Sequence, residues 1–123
     1  MTTRVLVAGA TGYLGRYVVR ELKARGHRVR VLARSTEKVE SLSALGATPD
    51  EVRVGEVTRP ESLRGLCDAV DVVFSSVGIT RQKDGLTFRD VDYQGNLNLL
   101  REAERAGVRR FVYVSLVDGP QLR

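Results

Sequence analysis

The sequence has 123 residues, 42% hydrophobic and 28% charged, which predicts one soluble globular domain and excludes a disordered chain. The single cysteine, Cys67, cannot form an internal disulfide. The only histidine, His27, cannot complete a zinc site with it, so we expect no metal. Twenty basic and fifteen acidic residues give a net charge of +5, but without a basic cluster or interleaved aromatic residues we expect neither nucleic-acid nor membrane binding.

Short Val-rich runs alternate with longer amphipathic runs, a pattern typical of βα units around a parallel sheet. Gly9 interrupts the first apolar run after a few residues, so this run predicts a strand rather than a signal peptide or membrane span, and we expect a cytoplasmic protein. Strands covered on both faces are almost continuously apolar. The sequence therefore predicts five strands, at residues 4–8, 28–33, 52–54, 71–75 and 111–115.

Four helices are predicted between these strands. Ser35 can cap the second of them, and Thr58 with Glu61 forms a capping box for the third. Glycines, which accept a left-handed conformation, are expected to end the first, second and fourth helices, at Gly26, Gly46 and Gly107. From cap to cap, the predicted helices cover about residues 12–26, 35–46, 58–70 and 87–107. The third is expected to bury Leu63, Leu66, Cys67 and Val70.

Right-handed crossovers restrict how the predicted strands can be ordered. A βαβαβ unit followed by a reversal gives a doubly wound, Rossmann-like α/β sheet with strand order 3-2-1-4-5. A ligand is then expected at the carboxyl ends of strands 1 and 4. No repeat or linker divides residues 1–123, so we expect a single nucleotide-binding domain.

The segment AGATGYLG, residues 8–15, follows the first predicted strand and opens the first predicted helix. Gly9 permits a tight turn, Gly12 allows a pyrophosphate to approach the backbone, and Gly15 allows the helix to pack against the sheet. The free N–H groups and the positive dipole end of the helix favour phosphate. The motif indicates dinucleotide binding, with a purely structural glycine turn as the alternative.

Arg34 lies nineteen residues after Gly15, where this motif usually carries the acidic residue that binds the ribose of NAD. A guanidinium can bind the 2′-phosphate of NADP by charge-assisted hydrogen bonds. Arg34 therefore favours NADP over NAD, and a solvated charge at a strand end is the alternative. Ser35 can contribute a hydroxyl to the same phosphate or act only as a helix cap.

Several spaced segments together resemble the atypical and extended branches of the short-chain dehydrogenase/reductase superfamily. The similarity is to the NAD(P)H-binding group that includes NmrA-like and isoflavone-reductase-like proteins. The resembling segments are AGATGYLG (8–15), VLARS (31–35), VGEV (54–57), DVVFSSVG (71–78) and VDYQGNLNLLREAERAGVRRFVYVS (91–115). The resemblance implies the NADP(H)-binding domain of an oxidoreductase that acts on a small carbonyl or related substrate.

The resemblance also implies where the cofactor binds. It assigns Gly9, Thr11, Gly12, Tyr13, Leu14 and Gly15 to the pyrophosphate, Arg34 to the 2′-phosphate, Glu56 and Val57 to the adenine, and Ser75, Ser76, Val77 and Gly78 to the nicotinamide-side ribose. Further candidates are Tyr93, Asn96 and Asn98, for which packing by the tyrosine and hydrogen bonds from the asparagines to a loop backbone are the alternatives. Ser115 is the one candidate catalytic residue, with a strand-end cap as the alternative.

The sequence departs from the superfamily in two ways. None of its four tyrosines is followed four residues later by the lysine that usually makes the catalytic tyrosine acidic. The substrate-binding lobe that usually follows is absent, which suggests a truncated gene product, an excised domain or a chain completed by a partner. A non-catalytic NADP-binding redox sensor or regulatory module, or a fragment of a nucleotide-sugar epimerase or dehydratase, are alternative functions. An exposed fifth strand also predicts self-association.

Overall fold

The computed structural model describes residues 2–10, 12–43, 46–77 and 85–114. Its strands are β1 (Arg4–Ala8), β2 (Arg28–Ala33), β3 (Glu51–Val54), β4 (Val72–Ser75) and β5 (Arg110–Tyr113). Its helices are α1 (Tyr13–Ala24), α2 (Thr36–Ser43) and α3 (Gly85–Arg105), with a short 3₁₀ helix at Pro60–Leu63. All strand pairs are parallel. The sheet order, β3-β2-β1-β4-β5, confirms the predicted Rossmann-like topology.

The predicted strand limits are correct to within a residue or two. β1 and β2 have the predicted limits, β3 begins one residue earlier, and β4 begins one residue later. β5 begins and ends earlier than expected, and Ser115 lies outside the described residues. Within the described part β5 is an edge strand, with Val112 and Tyr113 exposed on it. Self-association through this edge stays a prediction.

Apolar side chains cover both faces of β1, because successive residues of a strand point to opposite sides of the sheet. Val5 and Val7 belong to a cluster with β2 and the buried sides of α1 and α2. Leu6 and Ala8 belong to a second cluster, which includes Leu99 of α3 and the segment after β3. This double burial explains why the central strand is almost continuously apolar.

The predicted third helix is wrong. Residues after the Pro60–Leu63 3₁₀ helix form consecutive turns instead, and the Thr58 hydroxyl donates to the Glu56 carboxylate at 3.4 Å rather than capping a helix. Gly65 and Ala69 have φ values of +83° and +63°, which a continuous right-handed helix cannot contain. Burial of the apolar side chains is nevertheless as predicted for Leu63, Leu66, Cys67 and Val70.

Two arginines of the sheet bind the backbone of these turns. Arg30 Nη1 donates to the carbonyl oxygens of Leu66 and Asp68 at 2.7 and 2.8 Å. Arg53 donates to the carbonyl oxygens of the adjacent Arg64 and Gly65, both at 3.3 Å. Carbonyl groups that no helix satisfies need other partners, and side chains can supply them. These side chains therefore replace part of the hydrogen bonding of the predicted helix.

Glu102 of α3 ties the same turns to the helix. It is buried, and its Oε2 accepts hydrogen bonds from the Cys67 N–H at 2.9 Å and from Arg105 at 2.8 Å. Burial opposes ionisation of Glu102, but the hydrogen bonds from Arg105 and Cys67 outweigh it and hold the pKa of its carboxyl below the ordinary value of 4.5. The ionised form is therefore the one that stabilises the fold.

Replacing Glu102 by Gln is expected to lower the free energy of unfolding at neutral pH by about 1–3 kcal/mol, because a charge-assisted buried hydrogen bond is lost. The folded pKa lies below the unfolded one, so this stabilisation is present above pH 4.5 and is lost as the pH falls through the folded pKa. Urea unfolding at neutral and acidic pH measures the difference. Glu104→Gln, an exposed change in the same helix, is the control. A pH-independent difference contradicts the assignment.

The helices of this fold are amphipathic, whereas a helix that crosses a bilayer needs about 20 consecutive apolar residues. In the ranges that the structure covers, no helix has the length and apolar character needed to cross a bilayer. The cytoplasmic location stays a prediction.

Candidate functional site

A tight loop joins β1 to α1 at the carboxyl edge of the sheet. Gly9 has φ +85°, a left-handed conformation, and its carbonyl accepts the Gly12 N–H at 3.1 Å. Gly12 is the N-cap of α1 and has no side chain to accept hydrogen bonds from the first-turn N–H groups. These donors and the positive end of the helix dipole suit a phosphate group.

Two glycines allow this loop to pack tightly. A Cβ on Gly15 would overlap the carbonyl oxygen of Gly9 and lie 2.7 Å from its carbonyl carbon. A Cβ on Gly9 would lie 2.7 Å from Ser76 Oγ. Gly15 was expected to allow packing of the helix against the sheet, whereas its closest contact is with the loop itself. Side chains at either position would therefore disrupt the loop that carries the first-turn N–H groups. A tight glycine loop with these free donors fits the pyrophosphate of a dinucleotide.

The end of β4 lies directly beside this loop. Ala8 and Ser75 are partners in the sheet, and the Ser76 N–H donates to the Ala8 carbonyl at 3.0 Å. Ser75 and Ser76 are buried, and Ser76 Oγ donates weakly to Gly9 O at 3.4 Å. Residues 75–77, which the resemblance assigns to the nicotinamide side, are therefore next to the glycine loop.

Arg34 follows the last residue of β2 and is exposed. β2 is the other neighbour of β1, with Ala8 beside Leu32. Parallel strands bring their carboxyl ends to one edge of the sheet, so Arg34 and the glycine loop share that edge. Ser35 is half-buried beside it.

Glu56 and Val57 lie just after β3, at the same edge. Ser62 Oγ accepts the Glu56 N–H at 2.9 Å, while the Val57 carbonyl accepts a hydrogen bond from Asn98 Nδ2 at 2.8 Å. Both side chains are partly exposed. The backbone of this segment is therefore held from two sides, and Val57 also packs against the cluster that contains Leu99.

The remaining predicted residues have different outcomes. Tyr93 is 71% exposed, so its interpretation as a packing residue is wrong. Asn96 and Asn98 hydrogen-bond backbone carbonyls, as their alternative interpretation expected. Tyr13 and Leu14 begin α1, and Leu14 is half-buried. The predicted site residues outside the described ranges are Thr11, Gly78 and Ser115.

A contact between β4 and α3 was not predicted from the sequence. Ser75 Oγ donates to Asn96 Oδ1 at 2.6 Å, which joins a strand end to a helix 21 residues later. The sequence did contain a signal for this contact. Asn96 lies next to the buried apolar stripe of α3, and a polar side chain at such a position needs a hydrogen-bond partner. The sequence does not identify that partner.

Cys67 is a structural residue. It is fully buried, and burial, with a smaller contribution from Glu102, raises the pKa of its thiol to about 12. The thiolate needed for nucleophilic chemistry or metal binding is therefore scarce at neutral pH. The described ranges contain no group of three or more His, Cys, Asp or Glu residues arranged to hold a metal ion.

Known proteins are similar to this chain in both sequence and fold. Residues 9–120 match a family described as NAD(P)H-binding. The photosystem II assembly factor Ycf39 of Synechocystis sp. is 40% identical over 114 residues, which cover 93% of this chain and 34% of that protein. The chain thus spans about a third of the length of this relative.

Two solved structures are similar in fold and sequence. The crystal structure of gox2253 has a TM-score of 0.79 and 33% identity, over 91% of this chain and 34% of that one. AtPrR2 with NADP⁺ and (+)-pinoresinol has a TM-score of 0.67 and 34% identity, over 90% of this chain and 36% of that one. Both similarities extend over nearly all of this chain.

Proposed function

Because this chain belongs to the NAD(P)H-binding family, within the extended short-chain dehydrogenase/reductase group, we propose that it forms the NADP(H)-binding part of an oxidoreductase acting on a small carbonyl or related substrate. We also propose that the chain belongs to the NmrA-like subtype of this group. A bound dinucleotide of this kind supplies two-electron redox chemistry. The residues of this chain bind and orient it.

The observation that carries the proposal is the glycine loop. Gly15 lacks the Cβ that would overlap the Gly9 carbonyl oxygen, and Gly9 lacks the Cβ that would lie 2.7 Å from Ser76 Oγ. The loop therefore packs closely against α1 and the end of β4, and Gly12 leaves the first-turn N–H groups without a side-chain cap. Around it, we assign the pyrophosphate to residues 9–15, the adenine to residues 56 and 57, and the nicotinamide-side ribose to residues 75–78. Ser115 is proposed as the hydroxyl that orients the substrate.

Isothermal titration calorimetry tests the proposal directly. The folded protein is expected to bind NADPH and to bind NADH more weakly. Absence of binding heat with both the reduced and the oxidised forms of both dinucleotides contradicts the proposed function.

Preference for NADP rests on Arg34. Its exposed guanidinium follows β2 at the site edge, where it can donate charge-assisted hydrogen bonds to a 2′-phosphate. A carboxylate at this position would instead repel that phosphate. The similar AtPrR2 structure contains NADP⁺, which supports the same preference.

Replacing Arg34 by Ala is expected to weaken NADPH binding by about 1.5–3 kcal/mol, the range for hydrogen bonds to charged groups, and to change NADH binding little. Calorimetry with both cofactors measures the two losses. Arg28→Ala is the matched control, because it removes the same charge from the opposite end of β2. Equal losses for both cofactors show that Arg34 does not bind the 2′-phosphate.

A non-catalytic NADP-binding regulatory module is the second candidate. The similar Synechocystis protein is named as an assembly factor rather than for a reaction, which favours this candidate. Oxidation of NADPH in the presence of a panel of carbonyl substrates separates the two functions. Turnover supports the oxidoreductase, whereas tight binding without turnover supports the regulatory module.

A further inference from the structure

One turn of α3 contacts two different loops of the candidate site. Gly95 and Asn98 face the segment after β3, while Asn96 faces the segment after β4. In the proposed function these two segments serve opposite halves of the dinucleotide. Residues 95–98 of the helix therefore contact both the adenine-side and the nicotinamide-side segments of the proposed site.

The contact on the adenine side is made by Asn98 and Gly95. Asn98 is buried, its Nδ2 donates to the Val57 carbonyl at 2.8 Å, and its Oδ1 accepts from Gln94 Nε2 at 2.9 Å. A Cβ on Gly95 would lie 2.7 Å from Val57 Cγ2, so only glycine lets the helix come this close. The helix thereby fixes the backbone of Val57.

On the nicotinamide side, hydrogen bonds join Asn96, Ser75 and Val77 to one another. Asn96 Oδ1 accepts from Ser75 Oγ at 2.6 Å, and Asn96 Nδ2 donates to the Val77 carbonyl at 3.2 Å. Ser75 Oγ in turn accepts the Val77 N–H at 3.3 Å. The N–H and the carbonyl of Val77 are therefore both hydrogen-bonded. Ser76, which lies between Ser75 and Val77, contacts Gly9 through its hydroxyl.

We propose that Asn96 and Asn98 are positioning residues that act independently, Asn98 on the adenine-side loop and Asn96 on the nicotinamide-side loop. Their amides bind the backbone of each loop, so they act on the cofactor through Val57 and Val77 rather than by touching it. This inference rests on the proposed function, because that function assigns the two loops to the two halves of the ligand.

The test compares a whole ligand with its adenine half. NADPH and adenosine 2′,5′-bisphosphate are titrated into the wild-type protein, Asn96→Ala and Asn98→Ala. Asn96→Ala is expected to weaken NADPH about 3- to 10-fold, the effect of one hydrogen bond, and to leave the bisphosphate unchanged. Asn98→Ala is expected to weaken both ligands by a similar factor.

Amide hydrogen exchange in the ligand-free protein gives a second readout. Asn96→Ala is expected to accelerate exchange of the Val77 N–H, which donates to Ser75 Oγ, but not of the Glu56 N–H, which donates to Ser62 Oγ. Asn98→Ala is expected to do the reverse. If Asn96→Ala does not fold, Asn96→Asp replaces it, since it keeps an oxygen that accepts from Ser75 and removes the amide donor to Val77, with a negative charge added beside the Val77 carbonyl. Melting temperatures report any general loss of stability.

Two results overturn the inference. One is that Asn96→Ala weakens the bisphosphate as much as Asn98→Ala does. The second is that each variant raises exchange equally at both loops. If the wild-type protein binds no dinucleotide while exchange follows the expected pattern, the proposed function fails and the independent support of the two loops stands.

Discussion

Replacing Gly15 by Ala is expected to lower the free energy of unfolding by about 3 kcal/mol, at the upper end of the usual range for overpacking, and to abolish dinucleotide binding. The added Cβ would overlap the carbonyl oxygen of Gly9, and that oxygen belongs to a backbone held beside Ser76. Helix propensity alone predicts the opposite sign, because Ala stabilises a helix by about 1 kcal/mol relative to Gly. Urea unfolding and NADPH titration measure both effects.

Gly26→Ala is the matched control. Gly26 follows the same helix, and no described atom other than those of Gly26 and its chain neighbours lies within 4 Å of the position that a Cβ would take there, although its φ is +84°. Only the backbone strain of about 1–2 kcal/mol is expected from this change, with NADPH binding unchanged. If Gly15→Ala is as stable as the wild type and still binds NADPH, the close packing of the loop against α1 is refuted.

Replacing Leu99 by Ala is expected to lower the free energy of unfolding by about 2–5 kcal/mol, a large part of the stability of a small domain. Leu99 is fully buried in the cluster between α3 and the sheet, where it lies with Leu6, Leu66 and Val73. The truncation removes apolar contacts and leaves a cavity. Urea unfolding followed by circular dichroism measures the loss.

The neighbouring leucine is the control for this change. Leu100 follows Leu99 on the same helix but is 37% exposed. Leu100→Ala is expected to cost about 0.5 kcal/mol, as usual for surface positions. Similar losses for the two variants show that α3 is not packed against the sheet by the face that carries Leu99.

Strands and sheet order were predictable because their signals are local or follow from general rules of chain connection. Both faces of β1 are buried, so Val5 to Ala8 form a continuous apolar run in the sequence itself. Handedness of the crossovers then restricts the strand order. The third helix failed because a capping box and an apolar period do not exclude the left-handed residues Gly65 and Ala69.

Candidate site residues divide in the same way. Gly9 was predictable because its spacing from the strand indicates a turn that needs a positive φ, and the structure has that turn. Arg34 was predictable as an exposed residue at the strand end from its distance to the motif. Roles for Asn96 and Asn98 were left open, because an asparagine in a helix is compatible with several kinds of partner.

The amino-acid sequence by itself determined the parallel α/β fold, the glycine loop and the NAD(P)H-binding family, since apolar periods and glycine spacings are properties of short segments. Tertiary structure alone decided how the loops of the site are supported. The hydrogen bond from Asn98 to Val57 joins residues 41 positions apart, and that from Arg30 to Asp68 joins residues 38 apart. Such partners become neighbours only when the sheet and α3 are assembled, because each segment alone leaves these polar groups to water.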